Sequence, residues 1–486
     1  MYLLFFRCMI ICIWWRLGFF KNFSLQKVFS LHIENEVCMM DFIFPKDFIW
    51  GAGSSAYQIE DARFEDGKVA DVYDHYSKLM PEKYSNVGPE GSADFYHHFR
   101  EDIKLMAEQG LKSFRFSFSW ARIQSELDGP VNQAGIDYYN QVIDCLVENN
   151  IIPFFDLYHC DLPMFVVEAG GPSNPEFVRW FTDYAKILFE NFGDRIMYWS
   201  TVNEPSVNVT GGYYRGTAAP YVADKKTGLY AMMNMVLAHY SVIKLYRSMN
   251  LPGKIGMVNF CMPAYPKTQS KEDYDAAERY FAFHNQMWLD PFLKGEYPKV
   301  ITDFPEIGDF MPENANEILK ANFAPMDFLG VNFYTAALIE YNPECDMDYK
   351  RLKYESLPKD EYTFRLYPTG MLDLMFRLKD LYGDIPIIIS ENGMGLHHCE
   401  DLEEDAHDPQ RIDYMREHIR MVARCIRSGI NLQGYYHWTF LDTYEGTMGA
   451  YRFRFAMVQV DPTTKKRRPR DSYYYYKTII ANNTVD

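Results

Sequence analysis

The chain has 486 residues, of which 48% are hydrophobic and 17% aromatic, so it can bury a large core. Its formal net charge is −17 at pH 7, from 66 acidic and 49 basic residues. Because an acidic protein repels phosphate backbones, this balance argues against a nucleic-acid partner. Nine cysteines are scattered singly and form no C-x-x-C pair. That usage is typical of free thiols in a reducing compartment and predicts a cytoplasmic location.

The first 39 residues do not share the pattern of the rest of the chain. Residues 1–20 are apolar and aromatic, but Arg7 and Arg16 leave only residues 8–15 uncharged between them. A membrane-spanning helix needs about twenty apolar residues. A signal peptide needs a small-residue cleavage site, whereas the first alanine is Ala52. We interpret residues 1–39 as an N-terminal extension (an upstream start or a weak anchor) and residues 40–486 as the folded domain, with no membrane partner expected.

Strand-like and helix-like segments alternate eight times through residues 40–486. Short apolar, β-branched or aromatic runs predict strands, and apolar residues at every third or fourth position predict helices. The predicted strands are residues 48–56, 113–120, 151–159, 196–204, 254–260, 327–334, 386–392 and 432–440. Helical patterns at residues 94–109, 133–149 and 409–428 precede the second, third and eighth strands. Eight such units predict an α/β fold, a single (β/α)8 TIM barrel.

An open, doubly wound parallel sheet is the alternative arrangement of the same units. That fold usually carries a glycine-rich phosphate loop after an early strand. The nearest match, Gly51-Ala-Gly53, lacks the third glycine. The closed barrel is therefore the preferred interpretation.

Two glutamates stand at corresponding ends of two distant strands. Glu204 follows the apolar run 196–202 in Thr-Val-Asn-Glu-Pro, and Glu391 follows the run 385–389 in Ser-Glu-Asn-Gly. Active sites of barrels lie at the C-terminal ends of the strands, so these two carboxyl groups can face each other across a cleft. Cleavage of a glycosidic bond needs such a pair: one carboxyl protonates the leaving oxygen, and the other attacks carbon or activates water.

Other polar residues fall at or near the same ends of the predicted strands. They are Gln58, Arg115, His159, Asn203, Asn332, Tyr334 and Trp438. This placement predicts one active site at the C-terminal face of the barrel. The segment His397-His-Cys-Glu400 has no second ligand pair at metal-binding spacing, so we predict no metal site there. The charged, turn-rich insertion at residues 341–368 is expected to line the mouth of the active site.

The motifs resemble those of glycoside hydrolase family 1, the β-glucosidase family. Besides the segments around Glu204 and Glu391, residues 44–60, 114–123, 156–163, 192–195, 327–334 and 434–442 match the family in order. The resemblance implies a retaining, exo-acting β-glycosidase that removes terminal β-D-glucosyl or related residues from small glycosides through a covalent glycosyl-enzyme. It implies Glu391 as the nucleophile, assisted by Arg115 and Tyr334, and Glu204 as the acid and then the base. No metal or organic cofactor is implied.

The resemblance also implies a subsite that holds one sugar. Its residues would be Gln58, His159, Asn203, Asn332, Trp438 and Glu445. A carboxylate at Glu445 would repel a 6-phosphate, so 6-phospho-glycosides are expected to be poor substrates. Cys160 and Gly446 stand where the family usually has tryptophan. These two departures leave the preferred sugar open, and the alternatives are a β-galactosidase or β-fucosidase specificity, a transglycosylase, or a non-catalytic sugar-binding barrel.

Overall fold

The computed structural model describes residues 42–84, 86, 88, 90–361, 364–397, 399, 401–445, 449–450 and 453–486. The predicted extension at residues 1–39 and the departure at Gly446 lie outside the described residues. The chain divides into two units, Pro45–Asn482 and a small unit that includes residues 42–44 and Asn483–Asp486. In the small unit the N–H of Phe44 donates to the carbonyl of Asn483 at 3.0 Å.

Eight parallel strands in Pro45–Asn482 close into a barrel. They are β1 (Ile49–Gly53), β2 (Ser113–Ser117), β3 (Ile152–Asp156), β4 (Tyr198–Asn203), β5 (Lys254–Phe260), β6 (Phe328–Asn332), β7 (Ile387–Asn392) and β8 (Leu432–Trp438). Each strand pairs with the next one along the chain, and β8 pairs with β1. The predicted (β/α)8 barrel is confirmed, and every observed strand lies within a predicted one.

Amphipathic helices surround the barrel. Those of eight or more residues are Val72–Leu79, Phe95–Gln109, Gln133–Glu148, Phe177–Phe192, Lys225–Ser248, Lys271–Phe281, Met287–Lys294, Ala315–Asn322, Thr369–Tyr382, Pro409–Arg427 and Asp471–Asn482. Shorter helical segments are Ala56–Ile59, Glu65–Gly67, Pro81–Tyr84, Trp120–Ile123, Met164–Glu168, Gly171–Ser173, Pro205–Val209, Thr210–Arg215, Ala282–Gln286, Lys299–Thr302, Pro305–Gly308, Asp346–Asp348 and Leu402–Asp405. The three predicted helices are present, each one residue shorter than expected at one end. In the part of the chain that the structure describes, no helix has the length and apolar character needed to cross a membrane.

Smaller sheets form outside the barrel. Ala264–Pro266, Ala337–Tyr341 and Tyr349–Leu352 make a three-stranded sheet. Two-stranded pairs join Leu396–His397 to Phe453–Arg454, Tyr444–Glu445 to Gly449–Ala450, and Val458–Val460 to Arg467–Pro469. The three-stranded sheet includes the start of the predicted insertion, which therefore has regular structure of its own.

The barrel interior is filled by side chains from six strands. The cluster comprises Ile49, Phe154, Val258, Phe328, Ile388 and Tyr436. Gly51 makes room for the ring of Tyr436, since a Cβ on Gly51 would lie only 2.3 Å from that ring. Burying each large apolar side chain contributes about 1.5–3 kcal/mol. The barrel is thus a packed core, and it supports the polar residues at its C-terminal end from below.

Candidate active site

The predicted site residues come together around one cavity of about 360 Å³ at the C-terminal ends of the strands. Those that line the cavity are Gln58, His159, Asn203, Glu204, Tyr334, Glu391, Trp438 and Glu445. The other two, Arg115 and Asn332, are fully buried and contact the lining residues from behind. All ten predicted residues are therefore in one place, although they come from seven strands or the loops that follow them.

Glu391, the penultimate residue of β7, accepts two short hydrogen bonds. Arg115 donates from Nη1 to Oε1 at 2.6 Å, and the Tyr334 hydroxyl donates to Oε2 at 2.7 Å. Burial disfavours a charged Arg115, but the carboxylates of Asp156 and Glu391 outweigh burial and raise the pKa of Arg115. A permanent cation and a phenol thus bind the two oxygens of Glu391. Such contacts suit a carboxylate that attacks carbon, because an ionised carboxylate can accept both bonds.

Glu204 directly follows β4 and has a different environment. Its backbone has φ 47°, in the left-handed region, and its N–H donates to the carbonyl of Val258 at 2.9 Å. Asn332 donates from Nδ2 to Oε1 of Glu204 at 2.8 Å. Burial, and after it the charge of Glu391, raises the pKa of Glu204 to about 8. Glu204 therefore keeps its proton at neutral pH, as a general acid must.

Asp156 connects the residues beneath the cavity and was not among the predicted site residues. It ends β3 and accepts from Nη2 of Arg115 at 2.6 Å, while its Oδ2 lies 3.0 Å from Nδ1 of His159. Asn203 accepts from Nη2 of Arg115 at 2.8 Å and contacts Nε2 of His159 at 3.1 Å. Asp156 could have been found by the same signal as Glu204, a carboxylate that ends a buried strand.

The predicted sugar subsite has an aromatic wall and a half-buried carboxyl group, that of Glu445. The rings of His159 and Trp438 are stacked, with centroids 5.6 Å apart. Gln58 donates from Nε2 to the carbonyl of Tyr444 at 3.0 Å and to Oε1 of Glu445 at 3.4 Å. Burial raises the pKa of Glu445 to about 8; the Thr443 hydroxyl opposes this rise and the charge of Glu391 adds to it. The side chains around Glu445 can therefore both donate to and accept from sugar hydroxyls.

The departure at Cys160 is accompanied by two tyrosines on the same cavity. Cys160 lines the cavity, and its sulfur accepts from Nδ2 of Asn208 at 2.8 Å. Tyr57 and Tyr73 also line the cavity and stack with centroids 4.1 Å apart and planes 2° from parallel. The pocket next to Cys160 is thus built from phenol rings, and neither tyrosine was among the predicted site residues. Both lie in helices, Ala56–Ile59 and Val72–Leu79, for which a strand-end argument gives no signal.

The predicted insertion reaches the cavity through Phe364. Its ring lines the cavity and stacks on that of Tyr334, with centroids 4.9 Å apart and planes 19° from parallel. Phe260 and Phe455 lie within 6.5 Å of the Tyr334 ring, centroid to centroid, and also line the cavity. One side of the cavity is therefore aromatic and apolar, which complements the polar floor.

Two carboxyl groups with distinct partners, at the C-terminal face of a (β/α)8 barrel, define the class of barrel glycoside hydrolases. Comparison with known proteins agrees, because the model of Glycosyl hydrolase family 1 matches residues 40–485. The chain belongs to glycosyl hydrolase family 1.

Several relatives cover nearly the whole chain. Beta-glucosidase A of Acetivibrio thermocellus is 37% identical over 92% of this chain and 100% of its own length. The 6-phospho-beta-glucosidase GmuD of Bacillus subtilis is 37% identical over 90% of this chain and 98% of its own length. The solved family 1 β-glucosidase from Thermotoga maritima superposes with a TM-score of 0.88 at 34% identity, covering 91% of this chain and 99% of that one. The similarity thus extends over the whole barrel.

Proposed function

We propose that the protein is a retaining, exo-acting β-glycosidase that hydrolyses terminal β-D-glucosyl residues of small glycosides. The observation that carries the proposal is the contrast between the two glutamates in one cavity. Arg115 and Tyr334 bind the carboxylate of Glu391, whereas burial and the charge of Glu391 raise the pKa of Glu204 to about 8. One carboxyl group is thus suited to attack and the other to donate a proton.

The first step forms a glycosyl-enzyme. Glu391 attacks the anomeric carbon from one face of the sugar while Glu204 donates its proton to the departing glycosidic oxygen. The bond from the anomeric carbon to that oxygen breaks as the bond to Glu391 forms, and the leaving group departs as an alcohol. In the retaining geometry the two carboxyl groups are about 5–5.5 Å apart.

The second step hydrolyses the glycosyl-enzyme. Esterification removes the negative charge of Glu391, so the repulsion that helps to raise the pKa of Glu204 is lost. Glu204, now ionised, takes a proton from water as the water oxygen attacks the anomeric carbon; the bond from that carbon to Glu391 breaks, and Glu391 is released as a carboxylate. The product keeps the β configuration. The two carboxyl groups supply the nucleophile and the proton transfers, so the proposal includes no metal or organic cofactor.

We propose that the sugar on the floor of the cavity is unphosphorylated. Its hydroxyls would be held by Gln58, His159, Asn203, Asn332 and Glu445, with Trp438 as the platform. Among the described residues that line the cavity, three carry carboxyl groups and none is a lysine or an arginine. A 6-phosphate would bring about two negative charges into a pocket whose described lining offers no cation to pair with them, at an electrostatic cost.

A second candidate function, hydrolysis of 6-phospho-β-glucosides, is favoured by the similarity to GmuD. A panel of p-nitrophenyl β-glucoside, β-galactoside, β-fucoside and 6-phospho-β-glucoside separates the two. We expect kcat/KM for the glucoside to exceed that for the 6-phospho-glucoside by about 100-fold or more. A preference for the phosphorylated sugar would overturn the proposal. Sugar binding without turnover of any aryl β-glycoside would indicate a non-catalytic barrel.

We further propose that residues 40–486 are the functional domain and that it acts in the cytoplasm. The family match over residues 40–485 supports the first part. Cys145, Cys160, Cys261, Cys345, Cys399 and Cys425 carry free thiols, which supports the second.

A further inference from the structure

The catalytic cavity has a buried floor and a more exposed mouth. On the floor, Asn203 is 1% exposed and Glu391 is 4% exposed. At the mouth, Val207 is 37% exposed, Thr217 is exposed and Tyr221 is half-buried, and all three line the same cavity. The proposed exo-glycosidase holds the terminal sugar on the floor. The leaving group therefore lies at the mouth, among residues of the segment that directly follows Glu204.

Tyr221 occupies the mouth in an unusual backbone conformation. Its φ is +59°, in the left-handed region that bulky residues rarely adopt. Such a conformation is strained for a bulky residue and persists only where surrounding contacts hold it. A glycine would avoid this cost. A tyrosine kept in a glycine-like conformation on the wall of a catalytic cavity points to a use for its side chain.

Three neighbours fix the Tyr221 side chain. Its hydroxyl lies 2.9 Å from the hydroxyl of Tyr84, which also lines the cavity. The ammonium of Lys83 lies 4.0 Å from the centroid of the Tyr221 ring, and the Tyr76 ring packs against it edge-on at 5.4 Å. Tyr84 itself is 1% exposed and therefore well anchored. We call Tyr84 and Tyr221 the tyrosine pair.

The chemistry of the tyrosine pair matches a second pyranose. Two phenols have two O–H donors, and the bond between them uses one, so one O–H and free oxygen lone pairs remain for a ligand. A phenol ring also packs against the C–H groups of a sugar ring. The apolar side of the cavity around Phe260 and Phe364 offers only rings, which would suit an aryl group instead.

We propose that the tyrosine pair binds the sugar next to the scissile bond and sets a preference for substrates whose leaving group is a second sugar. This inference rests on the proposed function and narrows it to β-linked disaccharides and short oligosaccharides. The pair contributes to substrate binding at the mouth. Proton transfer and attack remain with Glu204 and Glu391.

The test compares cellobiose with p-nitrophenyl β-glucoside in Tyr221→Gly. Glycine accepts a φ of +59°, so relief of backbone strain offsets part of the lost side-chain contacts, and the variant should keep the fold. We expect the ratio of kcat/KM for cellobiose to kcat/KM for the aryl glucoside to fall by at least tenfold, mainly through a higher KM for cellobiose. Tyr221→Phe and Tyr84→Phe should each lower that ratio by a smaller factor, since each removes a hydroxyl and keeps the ring.

Ala223→Gly is the matched control. Ala223 also has a positive φ, +57°, so the substitution relieves the same backbone strain, but Ala223 does not line the cavity. For Ala223→Gly, the ratio of kcat/KM for cellobiose to kcat/KM for the aryl glucoside should equal that of the wild type. Equal losses for both substrates in Tyr221→Gly, a greater loss for the aryl glucoside, or no change would each overturn the inference. Turnover of the aryl glucoside by the wild type tests the proposed function separately, and if it is absent both the function and the inference are wrong.

Discussion

The Arg115 guanidinium lies 2.6 Å from the carboxylate of Glu391, fully buried beneath the cavity. The donor to Glu204, by contrast, is the neutral amide of Asn332. A cation stabilises negative charge at one glutamate, and a neutral donor leaves the other sensitive to the charge of the first. This asymmetry is the physical basis for assigning different roles to two chemically identical side chains.

Arg115→Lys should lower kcat/KM for p-nitrophenyl β-glucoside by about 100-fold or more. The planar guanidinium of Arg115 donates hydrogen bonds to Asp156, Asn203 and Glu391. The ammonium of a lysine cannot reproduce this arrangement of donors. Steady-state kinetics and a thermal melt measure the effect, and the melting temperature should fall as well. Arg179→Lys is the control, because Arg179 is 46% exposed and bonded to surface carboxylates. Wild-type kinetics in Arg115→Lys would contradict the role of Arg115.

The fall of kcat/KM at high pH should report the ionisation of Glu204. Because the pKa of Glu204 is raised to about 8, the group is protonated below that pH and loses its proton above it. For a substrate with a poor leaving group, kcat/KM should therefore fall as the pH rises through about 8. For a substrate with an activated leaving group, kcat/KM should fall less steeply as the pH rises through about 8, since the leaving oxygen needs little protonation.

Glu391→Gln should lower the pKa of Glu204. The substitution removes the negative charge that helps to raise this pKa, while burial still raises it. Titration of ¹³C-carboxyl-labelled glutamate by NMR in Glu391→Gln, with Glu204→Gln to assign the resonance, measures the change. An unchanged pKa would show that the two carboxyl groups do not interact.

Glu445 should make the protein less stable at high pH. Its pKa rises from 4.5 to about 8 on folding, so the folded state holds its proton more tightly than the unfolded state does. The stability linked to this proton is fully present below about 4.5 and is lost as the pH rises through about 8. Glu445→Gln should therefore raise the melting temperature relative to the wild type by a few degrees at pH 9 and by less at pH 4.5. A constant difference at all pH values would contradict the raised pKa.

A chain that begins at Met40 should fold and retain full activity. The predicted extension precedes residue 40, where the family match starts. We expect the same melting temperature and kcat/KM for this chain and for the full-length chain measured side by side. A loss of solubility or activity would show that residues 1–39 contribute to the folded protein.

The barrel strands could be predicted because most of them contain a run of apolar, β-branched or aromatic residues, as strands covered on both faces do. The predicted ends ran too far where apolar residues continue into buried loops. Leu157 and Tyr158 are buried, for example, yet they follow the last residue of β3. Local sequence thus identifies each strand but not the point at which its ladder of hydrogen bonds stops.

Nine of the ten site residues could be predicted because they lie in motifs at or near strand ends, whereas Glu445 followed only from the family resemblance. The structure places all ten around one cavity. Contacts between distant loops could not be predicted. The hydroxyls of Tyr84 and Tyr221 meet across 137 residues of chain, and no local pattern specifies such a pair. The stacking of Phe364 on Tyr334 could not be predicted either, because it depends on the conformation of the insertion at residues 341–368.

Chemical rescue of the two glutamate variants tests the central claim most directly. Glu391→Gly should abolish hydrolysis, and azide should restore cleavage of an activated aryl β-glucoside and yield an α-glucosyl azide, because the anion attacks from the side of the lost carboxylate. Glu204→Ala should still form the glycosyl-enzyme with the same substrate, and azide should then yield a β-glucosyl azide. ¹H NMR of the anomeric proton distinguishes the products. Reversed configurations in the two variants would contradict Glu391 as the nucleophile and Glu204 as the acid.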